Sequence, residues 1–331
     1  MGGKNTLMSD LETARNASST TAPFHSGFVA IIGRANAGKS TLVNALVGRK
    51  VAIVSPQPQT TRNRIQGIVN REKGQVVLVD TPGIHRAAKA LDRQMMQEVS
   101  ESLDGVDIVA LIVDATRDFE AGDKYSIEWL KKFSGPAYLL LNKIDRVKKD
   151  RLLPLIDRWR REHDFEEIFP VSALHGEGMD DLLTSLLARL PENPPYFPTD
   201  QYTDQPERFL AAEIVREKAI VLTRKEVPHA VAVLVDSFEE SEKLLRIRAT
   251  IYVEREGQKG IMIGRGGSMM KEIGTAARKE LEEILGVKIF LELHVKVQEN
   301  WRENRAMVKQ LDWRRQLEQM DSEDGQDHER N

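Results

Sequence analysis

The octapeptide Gly33-Arg34-Ala35-Asn36-Ala37-Gly38-Lys39-Ser40 lies between a strand-like run, Phe28-Val29-Ala30-Ile31-Ile32, and an apolar-periodic stretch that opens at Thr41. A glycine-rich loop that leaves a strand and enters a helix aims successive backbone N–H groups, and the positive end of the helix dipole, at one point. That arrangement suits a polyphosphate. In the G-x4-G-K-[ST] spacing, Lys39 is expected to reach the β- and γ-phosphates and Ser40 to offer its hydroxyl to Mg2+. Gly33, Asn36, Ala37, Gly38 and Thr41 complete the expected cradle. Such a loop works only between a strand and a helix, so it commits this part of the chain to an α/β fold.

From Phe28 to about residue 190, apolar runs alternate with helical patterns: Val76–Val79, Ile108–Val113 and Ala137–Leu141 read as buried strands. The expected fold is a doubly wound, mostly parallel sheet over residues 26–190. Ligands of such sheets sit at the carboxyl ends of the strands, and three further motifs fall there. Asp80-Thr81-Pro82-Gly83 places Asp80 to hold Mg2+ through water and lets the Gly83 N–H approach a γ-phosphate, since no Cβ blocks it. Asn142-Lys143-Ile144-Asp145 supplies a carboxylate. Asp145 can accept from the N1–H and the 2-amino group of guanine, a donor pair that adenine lacks, so the nucleotide is expected to be GTP or GDP. Val171-Ser172-Ala173-Leu174 ends the last strand, with the Ala173 N–H expected at the guanine O6 and Ser172 beside it. Between the first loop and Asp80, the polar, proline-bearing stretch Ser55–Arg64 reads as a mobile loop able to order around a γ-phosphate. Thr61 is the expected second Mg2+ hydroxyl, and Thr60 is the alternative.

The full chain of 331 residues, 40% apolar and 30% charged, is long enough for two domains. The absence of Cys removes disulfides, Cys-containing zinc sites and thiol nucleophiles, and seven scattered His suggest no metal cluster. No run has the length of a membrane span and residues 1–25 lack a secretory apolar core, so the cytoplasm is the expected location. Residues 1–25 are expected to be a disordered extension, and 316–331 an acidic disordered tail. Four prolines between Pro191 and Pro198 mark a linker over 191–206, expected to pair with nothing. Beyond it, residues 207–315 read as an α+β domain: a helix from Glu207, strands 230–236 and 244–255, a helix pair around Gly264 to Gly286, a strand 288–297 and a final amphipathic helix 300–316. Gly264-Arg265-Gly266-Gly267 sits between an apolar and a helical run, where glycines admit a sugar-phosphate backbone and Arg265 adds charge. His294, Lys296, Arg302, Arg305 and Lys309 beside Trp301 form an expected basic edge for phosphate contact and stacking, or alternatively a salt-bridged helix.

GRANAGKST, QTTR, DTPG, NKID and VSAL together resemble the TrmE-Era-Der group of translation-factor-like GTPases, and QTTRNRIQGI with DTPGIH is most similar to its Era branch. The second half resembles a type II KH domain, with Gly264–Gly267 as its G-x-x-G loop. The resemblance implies a GTPase that works with Mg2+, with K+ held near Asn36 as a stimulating ion, and with Lys39, Thr61 and Gly83 in catalysis. It implies binding of the 3′ end of 16S ribosomal RNA, not DNA, through Ile263, Gly264, Arg265, Gly266, Gly267, Lys271 and Lys296. Small ribosomal subunit assembly and peripheral contact with the inner face of the cell membrane belong to the same expectation. One residue departs from the Ras-type pattern: Ile84 stands where a water-orienting Gln would be, and slow intrinsic hydrolysis is expected. A tRNA-modifying GTPase and a nonhydrolysing GTP-binding RNA scaffold are the rival readings.

Overall fold

The computed structural model describes residues 23–223, 227 and 230–314. The acidic tail and all of the N-terminal extension before residue 23 lie outside the described residues. Strands β1 (His25–Ile32), β2 (Ile65–Arg71), β3 (Gly74–Asp80), β4 (Ile108–Asp114), β5 (Ala137–Asn142) and β6 (Glu167–Val171) form one sheet in the order β2-β3-β1-β4-β5-β6. All neighbours run parallel except β2, which pairs antiparallel with β3. Sequence reading missed β2 because the Gln66 and Asn70 side chains interrupt its apolar run.

Residues of alternate parity in β1, β4 and β5 face opposite sides of the sheet, so both faces need cover, and continuous apolar runs supply it. On one side Val29, Ile31 and Leu140 pack against α1 (Lys39–Val47) and α5 (Met179–Arg189). On the other, Ala30, Leu111 and Leu139 meet α2 (Ala90–Glu101), α3 (Ala121–Leu130) and α4 (Leu152–Arg160).

The second domain begins with α6 (Glu207–Leu222), which lies on a three-stranded sheet of order β7-β8-β9: β7 (Ala232–Ser241), β8 (Leu244–Val253) and β9 (Ile289–Val297). β7 is antiparallel to β8, and β9 is parallel to it. Between β8 and β9 run α7 (Glu256–Ile263), a 3-10 turn at Arg265–Gly267 and α8 (Ser268–Leu285). The expected α+β order therefore holds. No helix among the described residues is long and apolar enough to cross a membrane.

Two expectations change. The final helix is not continuous: a 3-10 turn at Trp301–Glu303 is followed by α9 (Arg305–Gln310), because the Asn304 carboxamide accepts from the Ala306 and Met307 N–H groups and starts a new helix. The linker, expected to pair with nothing, is stitched to the first sheet. The Ser26 N–H donates to Pro191 O, the Asn193 N–H to Phe24 O and the Ile68 N–H to Tyr202 O, while Gln75 Oε1 accepts from the Tyr196 and Phe197 N–H groups. Prolines lack donors but keep carbonyls, and the residues between them keep both.

The domains share one apolar cluster in which Leu91 and Met95 of α2 join Trp301, Met307, Val308 and Leu311. Trp301 is fully buried and its indole N–H donates to Ala230 O at 2.8 Å. It is core, not a stacking platform. Removing a buried indole of this kind costs about 3–5 kcal/mol, so Trp301→Ala is expected to lower the urea midpoint strongly, and Trp301→Phe by a smaller amount. Equal midpoints for Trp301→Ala and the parent would show that the domains do not depend on this contact.

Candidate functional site

Gly33, Gly38 and Gly83 are glycine for steric reasons. A Cβ on Gly33 would meet Ile112 O at 2.3 Å, one on Gly38 (φ 104°) would meet Asn142 Nδ2 at 2.2 Å, and one on Gly83 would meet Ala35 Cα at 2.8 Å. The loop after β1 is thereby pressed between the end of β5 and the Asp80–Gly83 turn. Asn36 takes the left-handed conformation at φ 62° and donates from Nδ2 to Pro56 O at 2.9 Å.

Lys39 is 6% exposed and donates to Gly33 O and Arg34 O, and burial lowers its pKa to about 8. The three expected metal residues converge. Ser40 Oγ lies 2.7 Å from Asp80 Oδ2 and 2.8 Å from Thr61 Oγ1. Asp80 is fully buried, desolvation pushes its carboxyl up to about 6, and its Oδ1 has no hydrogen-bond partner. Two hydroxyls and a carboxylate with a spare buried oxygen form a hard, oxygen-only donor set that fits Mg2+. Thr60 is not part of it, since its hydroxyl meets Ser55 Oγ and Gln57 O instead. Gly38, Thr41, Gly83 and Thr61 line a cleft of about 60 Å3 beside these groups.

At the β5 end, Asn142 braces the site by donating to Ala37 O at 2.8 Å and accepting from the Ala173 N–H at 3.0 Å. The Ala173 N–H, expected at a base oxygen, serves Asn142 in this arrangement. Lys143, left-handed at φ 68°, bridges Asn36 O and Asp114 Oδ2, each at 2.7 Å. Ser172 donates to Asp145 Oδ1 at 2.6 Å, fixing the carboxylate that faces the expected base position. Ile84 is 4% exposed within the apolar cluster, and its N–H bonds Gly33 O. Its hydrocarbon side chain offers no group that could orient a water molecule.

Residues 52–64 are docked, where a mobile loop was expected. Asn44 accepts from the Val51 and Ala52 N–H groups; Glu217 of α6 accepts from the Val54 N–H, and Arg216 donates to Thr60 O. Arg62 Nη1 donates to Val231 O and Asn63 Nδ2 to Leu311 O. Sequence reasoning could not see this because the second-domain partners lie more than 150 residues away. A signal did exist: α6 carries Glu213, Arg216 and Glu217 among its apolar residues.

The G-x-x-G turn presents its backbone outward. Gly264 (φ 72°, ψ 172°) needs glycine because a Cβ would strike Met269 N at 2.7 Å, whereas Gly266 and Gly267 are left-handed with open space where a Cβ would stand. Beside them a groove of about 590 Å3 runs between α8 and β9, lined by Ile263, Gly267, Met270, Lys271, Leu293 and Val295 among others. β9 pairs only with β8, so its outer edge is free along this groove. Leu291, Leu293, Val295, Thr275 and Arg278 were missed in sequence, although alternation along β9 marks the three apolar ones. Arg265 is exposed at the turn. Lys296 is exposed on β9 outside the residues that line the groove, although His294, of the same parity, is among them. Arg302 is not a free cation, being paired with Glu254.

A glycine-walled loop between β1 and α1, a carboxylate fixed after β5 and an oxygen-only cluster of Ser40, Thr61 and Asp80, followed by an open G-x-x-G groove, have the arrangement of a P-loop GTPase joined to a KH domain. A family model described as 50S ribosome-binding GTPase matches residues 28–143, and one described as KH domain matches 226–302. The chain is 51% identical to GTPase Era of Syntrophus aciditrophicus over 87% of its own length and 95% of the relative's, and it belongs to the Era GTPase family. GTPase Era of Lacticaseibacillus paracasei is 50% identical over 87% of this chain and 96% of that one. Among solved structures, Era in complex with MgGDPNP and nucleotides 1506–1542 of 16S ribosomal RNA superposes with TM-score 0.85 at 42% identity, covering 87% of this chain and 98% of that one. A variant of Aquifex aeolicus Era bound to GDP·AlF4− gives 0.84 at 41%, over 87% and 99%.

The steric argument has a direct test. A methyl group on Gly38 is expected to push Asn142 aside and to load the loop with about 1–3 kcal/mol of backbone strain. Gly38→Ala should weaken binding of a fluorescent GDP analogue at least tenfold, with the KH half folded normally by circular dichroism. Unchanged affinity would disprove the close approach.

Proposed function

We propose that this protein is a GTP-driven RNA-binding switch that grips the 3′ end of 16S ribosomal RNA in the KH groove and assists small-subunit assembly in the cytoplasm. The observation that carries this reading is the placement of residues 60–63. Thr61 stands at the Ser40–Asp80 metal position, while Thr60 O, Arg62 and Asn63 are held by the second domain. A change in how Thr61 is held must be felt by the KH half. The Era complex with 16S ribosomal RNA nucleotides supports the choice of RNA, and the open backbone of Gly266 and Gly267 supports the place where it binds.

In this reading Gly33, Asn36, Ala37, Gly38 and Thr41 wrap the phosphates, and Lys39 turns from Gly33 O and Arg34 O to the β- and γ-phosphates. Ser40, Thr61 and Asp80 hold Mg2+, which supplies charge neutralisation at the phosphates. The Gly83 N–H reaches the γ-phosphate. Asp145, steadied by Ser172, reads guanine, and Ala173 acts by orienting Asn142. Lys143 keeps the phosphate loop against β4. With Ile84 buried, no side chain at that position can orient water, and intrinsic hydrolysis is slow. Ile263, Gly264, Arg265, Gly266, Gly267 and Lys271 meet RNA, and Lys296, exposed further along β9, adds positive charge. The domains run 26–190 and 207–315, and the linker between them moves with the first.

Three outcomes check this reading. Thr61→Ala should cost GTP affinity at least tenfold more than GDP affinity, whereas Thr60→Ala should leave the GTP:GDP ratio near that of the parent; equal effects of the two substitutions on that ratio would reject the metal assignment. A 3′-terminal 16S rRNA oligonucleotide should bind more tightly to the GTP-analogue form than to the GDP form, and a Gly266→Asp, Gly267→Asp double variant should lose binding to both. By linkage the RNA must then tighten the GTP analogue by the same factor. Equal RNA affinity in the two nucleotide states would end the switch model. Hydrolysis is expected to be faster in K+ than in Na+, given that Asn36 joins the phosphate loop to Pro56; equal rates in the two salts would remove K+ from the scheme.

A further inference from the structure

Where the two domains meet behind Thr61, a cavity of about 20 Å3 is lined by Arg62, Asn63, Arg208, Glu213, Arg216, Leu311 and apolar residues. Its walls are unusual in charge. Arg62 is 7% exposed and Arg216 2%. Arg216 is bound in a fork by Glu213, with Nε to Oε1 at 2.7 Å and Nη2 to Oε2 at 2.6 Å, and nearby Arg302 is bound in the same way by Glu254. Three guanidiniums, those of Arg62, Arg208 and Arg216, therefore line the cavity beside one carboxylate, Glu213, which Arg216 already occupies. Among the described residues Arg62 is paired with no carboxylate: it donates to a neutral carbonyl, Val231 O, and lies over the face of Trp301 at 5.2 Å.

Guanidinium donors in this wall are also unused. Arg62 Nε and Arg216 Nη1 are buried atoms without a hydrogen-bond partner. An unpaired buried cation is among the most costly features a fold can carry, and unmet N–H groups add to the cost. Burial and the neighbouring Arg216 depress the Arg62 pKa well below its ordinary value, which is the same cost in another form. A water molecule would satisfy the N–H groups but leave the charge uncompensated. A tetrahedral oxyanion is too large, since 20 Å3 is only slightly more than the room a single water needs.

We propose that this interdomain cavity is a binding site for one monatomic anion of chloride size, held by Arg62 Nε and Arg216 Nη1. The anion balances the excess guanidinium and bonds donors from both domains, so it ties the 52–64 segment to α6. Its position one residue from Thr61 makes its occupancy a condition of the docked arrangement. The site is distinct from the nucleotide cleft and from the G-x-x-G groove, and it discriminates by size.

The wild-type full chain reads this without any substitution. At matched ionic strength, pH and nucleotide, thermal unfolding in chloride or bromide should occur a few degrees above that in gluconate, an anion too large to enter, and the rise should saturate with halide. Crystals grown in bromide should show an anomalous peak beside Arg62 Nε and Arg216 Nη1. Arg62→Met, which removes the surplus charge and keeps an apolar stem against Trp301, should lose both the halide response and the peak. Equal unfolding temperatures in chloride and gluconate, or bromide peaks at other places only, would overturn the proposal. If Arg62→Met does not fold, the two wild-type measurements still decide it.

Discussion

Neighbouring residues of the segment 60–63 stand in two sites at once. Thr61 turns inward to Ser40 and Asp80 while Arg62 turns outward to Val231 and Trp301. There is no length of chain between them to absorb movement. The distance from the metal position to the RNA-binding half is one peptide unit, so coupling here needs no relay through a packed core. Further contacts across the seam, among them Asn63 to Leu311, Glu217 to Val54 and Arg216 to Thr60, hold that strip in place.

The seam also sets limits on how the domains separate. Its apolar part, Trp301 with Met307 and Val308 against α2, behaves like a core. Its polar part is carried across the seam by Lys50, paired with Glu217 and Glu280, while the forked arginine–carboxylate pairs Arg216–Glu213 and Arg302–Glu254 brace the second domain's side of it. Arg314, bonded to Arg64 O and lying near Glu98, extends the polar seam to the end of the described chain.

The parallel strands and the strand-end motifs were legible because each is local: continuous apolar runs specify buried strands, and the loops after them carry glycine and carboxylate in fixed spacing. The position of Thr61 was legible for the same reason. What escaped was non-local. β2 is an edge strand with polar residues in its run, and only pairing with β3 defines it. Trp301 and Arg302 read as a surface patch because an aromatic beside basic residues looks alike in a string whether it faces water or a core; Ala230 and Glu254, far away in sequence, decide the matter. Lys296, read as part of a basic edge, is exposed on β9 next to the groove's lining residue Val295.

The stitched linker has a further consequence for the first sheet. β2 is the sheet's outermost strand, and an exposed strand edge is a template for pairing with another chain. Tyr202 O takes the Ile68 N–H, Thr203 Oγ1 reaches Gln66 O and Asp204 Oδ1 takes the Gln66 N–H, so the segment leading to α6 closes that edge with backbone and side-chain atoms. What joins the domains is therefore also a selvage, and detaching it would leave the first domain folded but self-adhesive.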